Sequence, residues 1–194
     1  MDLIVSLGRT LGFSLTSGVN LYATVAILGL AARFDWVDLP AQYEVFAADW
    51  VIGLALLLYA VEFVADKIPW VDSMWDSVHT FIRPVGGALI AVATLGEASP
   101  TMEVLVGLLG GTVAAGSHFT KSGTRVAANA SPEPFSNWAL SFMEDVFVIG
   151  LGMLALMYPV AAFVVTVLII VTIVLALRWI IRRVRGVRRP AVAA

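Results

Sequence analysis

The chain has 194 residues, of which 60% are hydrophobic and 13% charged, with a mean hydropathy of +0.92. A soluble domain carries about 45–50% apolar and about 25% charged residues, so a soluble enzyme is excluded. A formal charge of −2 excludes a nucleic-acid binder, and the absence of cysteine excludes disulfides, thiolate metal sites and catalytic thiols. The composition predicts an all-α fold: a polytopic transmembrane helical bundle forming a single integral membrane domain of about six spans.

A membrane helix needs roughly 20 mostly apolar residues. The first such run covers 10–32. Its length, and Asn20 within it, argue against a cleaved signal peptide, whose apolar region is about 7–15 residues. The second covers 45–65, with Glu62 and Asp66 near its inner end, four apart and therefore on one helical face. Between spans two and three, Val71, Met74, Trp75, Val78 and Ile82 fall at helical spacing. The opposite stripe is Asp72, Asp76, His79 and Arg83. This is an amphipathic helix that either lies flat on the inner surface or dips inward as a re-entrant half-helix broken at Pro84. A third span over 84–96 is short, reaching about 20 Å where the hydrocarbon core is about 30 Å.

The fourth span covers 101–119, with Gly107 and Gly111 at the spacing that lets helix backbones approach closely. The fifth covers 136–157 and contains Glu144 and Asp145. A helix starting after Asp145 would be about 18 Å long, too short to cross, so both acids lie inside. Each charged carboxylate at a helix centre costs about 2.5–3.5 kcal/mol, and the adjacent pair points about 100° apart. The two acids therefore need different partners, drawn from Arg83, Lys121 and Arg125. Asn20, near mid-membrane in span one, also needs a partner and is expected to face the same interior as Glu62 and Glu144. The sixth span covers 160–181, followed by a basic tail over 182–194.

With the N-terminus inside, Arg9, Lys67, Arg83, Lys121, Arg125 and the arginines from Arg178 to Arg189 all fall inside, and only Arg33 outside. Asp35, Asp38, Glu44, Asp49, Glu97 and Glu103 fall outside. This bias predicts a multi-pass protein of the bacterial inner membrane with both termini cytoplasmic.

Three blocks carry a family resemblance. They are Ser17-Gly18-Val19-Asn20-Leu21-Tyr22-Ala23-Thr24; Glu62 to Pro69 running on through Asp72, Asp76, His79, Arg83 and Pro84; and Lys121 to Arg125 with Ser131-Pro132-Glu133-Pro134 and Glu144-Asp145. Together they resemble the bacterial membrane-protein family catalogued as domain of unknown function 4126, over nearly the whole chain. The resemblance implies no mechanism. Glu62 to Lys67 is also similar to the acidic E-x-G-D-K-T motif of small cation/proton exchangers, which coordinate divalent metal near mid-membrane. Here the acids are four apart instead of three, Ala65 replaces the glycine and Ile68 the hydroxyl. That similarity implies Glu62, Asp66, Glu144 and Asp145 as candidate metal ligands.

No H-E-x-x-H, G-x-S-x-G or paired-histidine motif is present, and the histidines are His79 and His118. The expected function is a small transporter or permease in which intramembrane carboxylates move protons or cations with a solute. Its candidate site is Asn20, Glu62, Asp66, Asp72, Asp76, His79, Arg83, Lys121, Arg125, Glu144 and Asp145, with no cofactor. Two alternatives stand beside it: an intramembrane enzyme or carrier for a lipid or lipid phosphate, and a non-catalytic subunit of a membrane complex. Membrane lipid is the expected partner, with a possible homo-oligomer and no nucleic acid.

Overall fold

A computed structural model describes residues 3–130 and 135–187, with side chains as far as Arg183. The described residues form α1 (Leu3–Val19), α2 (Leu21–Arg33), a short 3-10 helix (Ala41–Phe46), α3 (Asp49–Ala65), α4 (Pro69–Leu95), α5 (Pro100–Asn129), α6 (Phe135–Met157) and α7 (Pro159–Val187), with no strand among them. The fold is all-α, as expected. Four helices are long and apolar enough to cross a membrane: Pro69–Leu95, Pro100–Asn129, Phe135–Met157 and Pro159–Arg183. Shorter apolar helices, Leu3–Val19 and Leu21–Arg33, accompany them.

The first apolar stretch, 10–32, is not a single helix. Asn20 leaves the helical conformation, with φ −147° and ψ 101°, and its side chain accepts from the Ala23 N–H at 2.9 Å as the N-cap of α2. An asparagine at this position satisfies an N–H that a fresh helix start would otherwise leave unpaired. The chain then folds back. At the start of α1, Gly8 packs against the Pro159 backbone, Arg9 donates to the Leu156 carbonyl at 3.4 Å, and Thr10 meets Thr94 at 3.3 Å. These partners lie where α4 turns into α5 and α6 into α7. Further along, Leu15 and Val19 offer carbonyls to Ser117 and Lys121, deep on α5. In α2, Tyr22 bonds His79, Ile27 packs on Gly152, and Gly29 reaches Phe46 and Ile52, near the start of α3. Thus α1 and α2 form a V whose apex, Asn20, sits within the bundle and whose arms open toward one end.

Two expectations are corrected by this geometry. The stretch 10–32 goes in and returns, so it does not connect the two ends of the bundle. Since α1 and α7 run side by side in the same sense, from Gly8 beside Pro159 to Gly12 beside Ala162 and Thr166, Leu3 and Arg183 lie at opposite ends. The described chain therefore starts and stops at opposite ends of the bundle.

A third correction concerns Pro84. Residues 71–83 are not a separate amphipathic helix, because α4 runs unbroken from Pro69 to Leu95 with Pro84 inside it. At 1.5 Å per residue it is about 40 Å long, so no short span remains. Asp72, Asp76, His79 and Arg83 are all buried rather than turned to a surface. The proline is tolerated because α4 and α5 are clamped along a seam of small residues. Gly87 faces Ala114, Gly110 faces Ala91, and Gly111 lies against the Pro84 carbonyl and Ala88. Gly107 meets Val92 on the same seam, so this glycine spacing is used for packing.

At the open end of the V, Tyr43 is buried under Arg9, whose guanidinium lies 5.9 Å from its ring centroid. Burial raises the pKa of its hydroxyl well above the usual tyrosine range.

Candidate functional site

The apex of the V meets a buried charge network built from α3, α4, α5 and α6. Arg83, on α4, donates to Glu62 Oε1 at 2.7 Å, to Asp76 Oδ1 at 3.1 Å and to His118 Nδ1 at 2.8 Å. Lys121, on α5, lies 3.0 Å from Asp66 Oδ2, 3.4 Å from Glu62 Oε1 and 3.5 Å from Glu144 Oε2. Its ammonium also donates to the Val19 carbonyl at 3.3 Å, an oxygen in the last turn of α1, where carbonyls lack helical partners. One turn further, Arg125 grips Glu144 through Nη2 at 2.6 Å and Nε at 3.1 Å. It also donates to Asp66 Oδ2, to the Asp66 carbonyl and to Asn137 Oδ1, the last at 2.7 Å, and lies 4.0 Å from Asp72.

The positions follow from helical spacing. His118, Lys121 and Arg125 recur every three or four residues and so share one face of α5. Asp72, Asp76, His79 and Arg83 do the same on α4, the antiparallel neighbour, and Asn129 closes the far end by donating to Asp72 Oδ2 at 3.1 Å.

His118 adds no charge to this network. Arginine N–H groups only donate, so His118 Nδ1 accepts from Arg83 and the ring is neutral. Its Nε2–H then donates to Thr80 Oγ1 at 3.1 Å, while the Thr80 hydroxyl donates to the Asp76 carbonyl. His79 Nδ1 donates to the Trp75 carbonyl at 2.7 Å, and its Nε2 shares a 2.9 Å hydrogen bond with the Tyr22 hydroxyl, which can both donate and accept.

Among the described residues, the ion-paired network holds five carboxylates (Glu62, Asp66, Asp72, Asp76 and Glu144) against three cations (Arg83, Lys121 and Arg125). Fully ionised, it carries two negative charges in excess. Glu62 Oε2, Asp66 Oδ1 and Asp72 Oδ1 are buried without a hydrogen-bond partner. Such unpaired buried charge is costly. The arrangement is therefore suited to holding protons.

Asp145 stands apart from this network. It is buried, its Oδ2 has no hydrogen-bond partner, and its principal opposite charge is Lys67. Lys67 donates to the Phe63 carbonyl and to Ser141, with its ammonium 3.2 Å from the Phe63 ring centroid. The adjacent acids of α6 thus diverge as their spacing requires, but only Glu144 takes its partners from Lys121 and Arg125; Asp145 faces Lys67, which the sequence reading did not offer as a partner. Asn20 does not touch a carboxylate; its side-chain oxygen serves the α2 cap, and it joins the site through the neighbouring Val19 carbonyl. The four carboxylates proposed as metal ligands are not gathered on one point, and among the described residues no group of three or more His, Asp or Glu side chains is placed to hold a metal ion. Of the basic tail, Arg182 and Arg183 are described as exposed, whereas 188–194 lie outside the described residues, as does the Ser131–Pro134 block.

Several members of the site were not singled out from the sequence. Asn137 bridges Arg125 and the Asp66 carbonyl while almost fully buried. Its place just after the Pro-rich sequence Ser131–Pro134 reads as a helix cap, and nothing in the spacing distinguishes a cap from an arginine ligand. The Val19 carbonyl is invisible to any side-chain reading.

A family model described as a domain of unknown function (DUF4126) matches residues 7–179. That range takes in the whole charge network and all but the first residues of the V. No curated protein and no solved structure matches the chain.

Proposed function

The chain belongs to this family of unknown function, and we propose that it is a small membrane transporter in which the buried carboxylates couple the movement of a solute or ion to protons or cations. One observation carries the reading: five carboxylates share three cations inside a helical bundle, with a neutral histidine, His118, beside them. A network built only for stability gains nothing from excess buried charge, because even balanced buried pairs stabilise weakly. A network that loads and unloads protons or cations requires such excess.

The broken helix supports the same reading. Discontinuous helices in membranes place their exposed ends at ion and substrate sites, and irregular backbone at depth is tolerated where it is covered by protein or lines a cavity. Here the Val19 carbonyl and the start of α2 meet at the network. In this proposal α3 to α7 cross the membrane, while α1 and α2 form a re-entrant pair. The end bearing Lys67, Arg125, Arg182 and Arg183 is cytoplasmic by the positive-inside tendency, in an inner membrane, which puts Leu3 on the opposite side.

The lipid-phosphate alternative is less well supported by the geometry, because Arg83, Lys121 and Arg125 are already matched by carboxylates and none is left facing outward for a phosphate.

The test is proton and divalent-cation flux into sealed liposomes, for wild type and Glu144→Gln. Flux in the wild type that disappears in a correctly inserted, folded variant is the expected result. Absence of flux in both, under imposed gradients of protons and cations, would overturn the transport reading.

A further inference from the structure

Within the network, one carboxylate is left without a cationic donor. Four of the five accept a hydrogen bond from a cation: Glu62 at 2.7 Å and Asp76 at 3.1 Å from Arg83, Asp66 at 3.0 Å from Lys121, and Glu144 at 2.6 Å from Arg125. Asp72 does not. Its side chain is 0% exposed, its Oδ2 accepts from the neutral amide of Asn129 at 3.1 Å, and its Oδ1 has no hydrogen-bond partner.

Arg125 Nε is 4.0 Å from Asp72 Oδ1, but that guanidinium has no N–H to spare. Nε donates to both Glu144 oxygens, Nη1 to the Asp66 carbonyl and to Asn137, and Nη2 to Asp66 Oδ2 and Glu144 Oε2. The other groups acting on Asp72 are Asp66 at the end of α3 and Asp76 one turn along α4, both acids that repel a negative charge there. From α6, Glu144 and Asn137 take up the same guanidinium. A buried carboxyl with no cationic donor costs less neutral than charged. The first turn of α4 favours negative charge, but by less than the desolvation of an unpaired buried ion.

From this geometry we infer that Asp72 is the proton-binding carboxyl of the network, neutral while Arg125 is committed to Glu144. Ionisation breaks the Asp72 O–H bond and passes the proton to solvent past Asn129, which is half-buried beside exposed Ser73 near the start of α4. The charge left on Asp72 then draws the Nε–H away from Glu144, because one N–H cannot serve both acids. Proton release at the end of α4 thus loosens the clasp of Arg125 on α6, and proton uptake restores it. The inference rests on the proposed proton coupling and assigns the residue that carries the proton and the ion pair that responds.

The test is infrared spectroscopy of the full chain in nanodiscs at neutral pH, with and without aspartate 13C-labelled at its side-chain carboxyl. The expected result is a protonated-carboxyl C=O stretch that moves on labelling and loses at least one component in Asp72→Asn. That substitution puts a neutral amide in place of a neutral acid of the same shape, so the thermal midpoint should match the wild type. Asp76→Asn, which breaks a pair with Arg83, should lower it. Absence of the labelled stretch, a stretch unchanged in Asp72→Asn, or an Asp72→Asn chain that unfolds or loses as much stability as Asp76→Asn would each overturn the assignment. Raising the pH until the Asp72 component vanishes should shift a glutamate carboxylate stretch in the wild type but not in Asp72→Asn, and no shift in the wild type would overturn the handover of Arg125. Protonation is read without any gradient, so it separates from transport. Flux in a chain without the Asp72 component would remove this assignment alone, whereas the component in a chain that carries no flux would remove the transport reading and leave a buried protonated acid.

Discussion

The ammonium of Lys121 lies 3.3 Å from the carbonyl oxygen of Val19, a residue 102 positions earlier in the chain. That contact ties the broken end of α1 to the carboxylates of α3 and α6, since the same ammonium lies within ion-pair distance of Glu62, Asp66 and Glu144. One side chain thus holds together the two features on which the functional proposal stands, the helix break and the charge excess.

Replacing Lys121 by Met should therefore be among the most damaging single changes outside the glycine seam. It leaves three carboxylates with less positive charge and a buried carbonyl without its donor. Removing one partner from a buried ion pair costs about 3–5 kcal/mol. The expected outcome is a large fall in the thermal midpoint of the detergent-solubilised protein, with a smaller fall for Lys121→Arg, which keeps the charge. Equal midpoints for Lys121→Met and wild type would show that the network does not depend on this cation.

Asn20 tests the break itself. Loss of a helix N-cap costs about 1 kcal/mol, within a range of about 0.5–2, so Asn20→Ala should lower stability by that amount. Asn20→Ser, which retains a capping oxygen, should recover most of it. Chemical unfolding of the three forms in mixed micelles reads the difference. A stable Asn20→Ala variant with no loss would mean that the Ala23 N–H finds another partner.

The acids were legible in the sequence because charge stands out against so apolar a chain. Glu62, Glu144 and Asp145 could be placed at depth by counting residues, and Arg83, Lys121 and Arg125 were the available bases within reach. The spacing on α4 also gave Asp72, Asp76, His79 and Arg83 correctly as one helical face, but not that this face is buried against α5. What could not be read was direction. A run of 23 apolar residues has the same composition whether it crosses or turns back at its middle, and only the partners of Gly8, Thr10 and Gly29 show the return. Pro84 misled for a related reason. Its local cost is fixed by the backbone, but the close α4–α5 packing that offsets it comes from residues on another helix.

That packing supplies its own test. A Cβ on Gly18 would overlap the Ser117 hydroxyl and the Ala114 backbone, and one on Gly87 would overlap the Ala114 side chain. Gly116, on the same α5, has nothing within 4 Å of the corresponding position. Overpacking costs about 1–3 kcal/mol or more, whereas Gly→Ala in an unobstructed helix gains about 0.5–1 kcal/mol. Gly18→Ala should therefore lower the thermal midpoint and Gly116→Ala should leave it unchanged or raise it. If the two shifts were the same, Gly18 would not mark a close helix crossing.

The fold-back at Asn20 makes a prediction about sidedness that does not depend on which face is cytoplasmic. The chain contains no cysteine, so a single introduced thiol can be labelled without background. Leu3 and Val45 are exposed at the open end of the V, 67% and 61% respectively, and Arg182 is exposed near the far end of α7. In sealed vesicles of uniform orientation, Leu3→Cys and Val45→Cys should react together with a membrane-impermeant maleimide. Arg182→Cys should show the opposite accessibility, and permeabilising the vesicles should equalise all three. A chain in which 10–32 crosses once would instead separate Leu3 from Val45 and place Leu3 with Arg182. Labelling of Leu3→Cys and Arg182→Cys from the same side would thus sink the re-entrant arrangement, and with it the argument that the apex of the V delivers a helix break to the buried carboxylates.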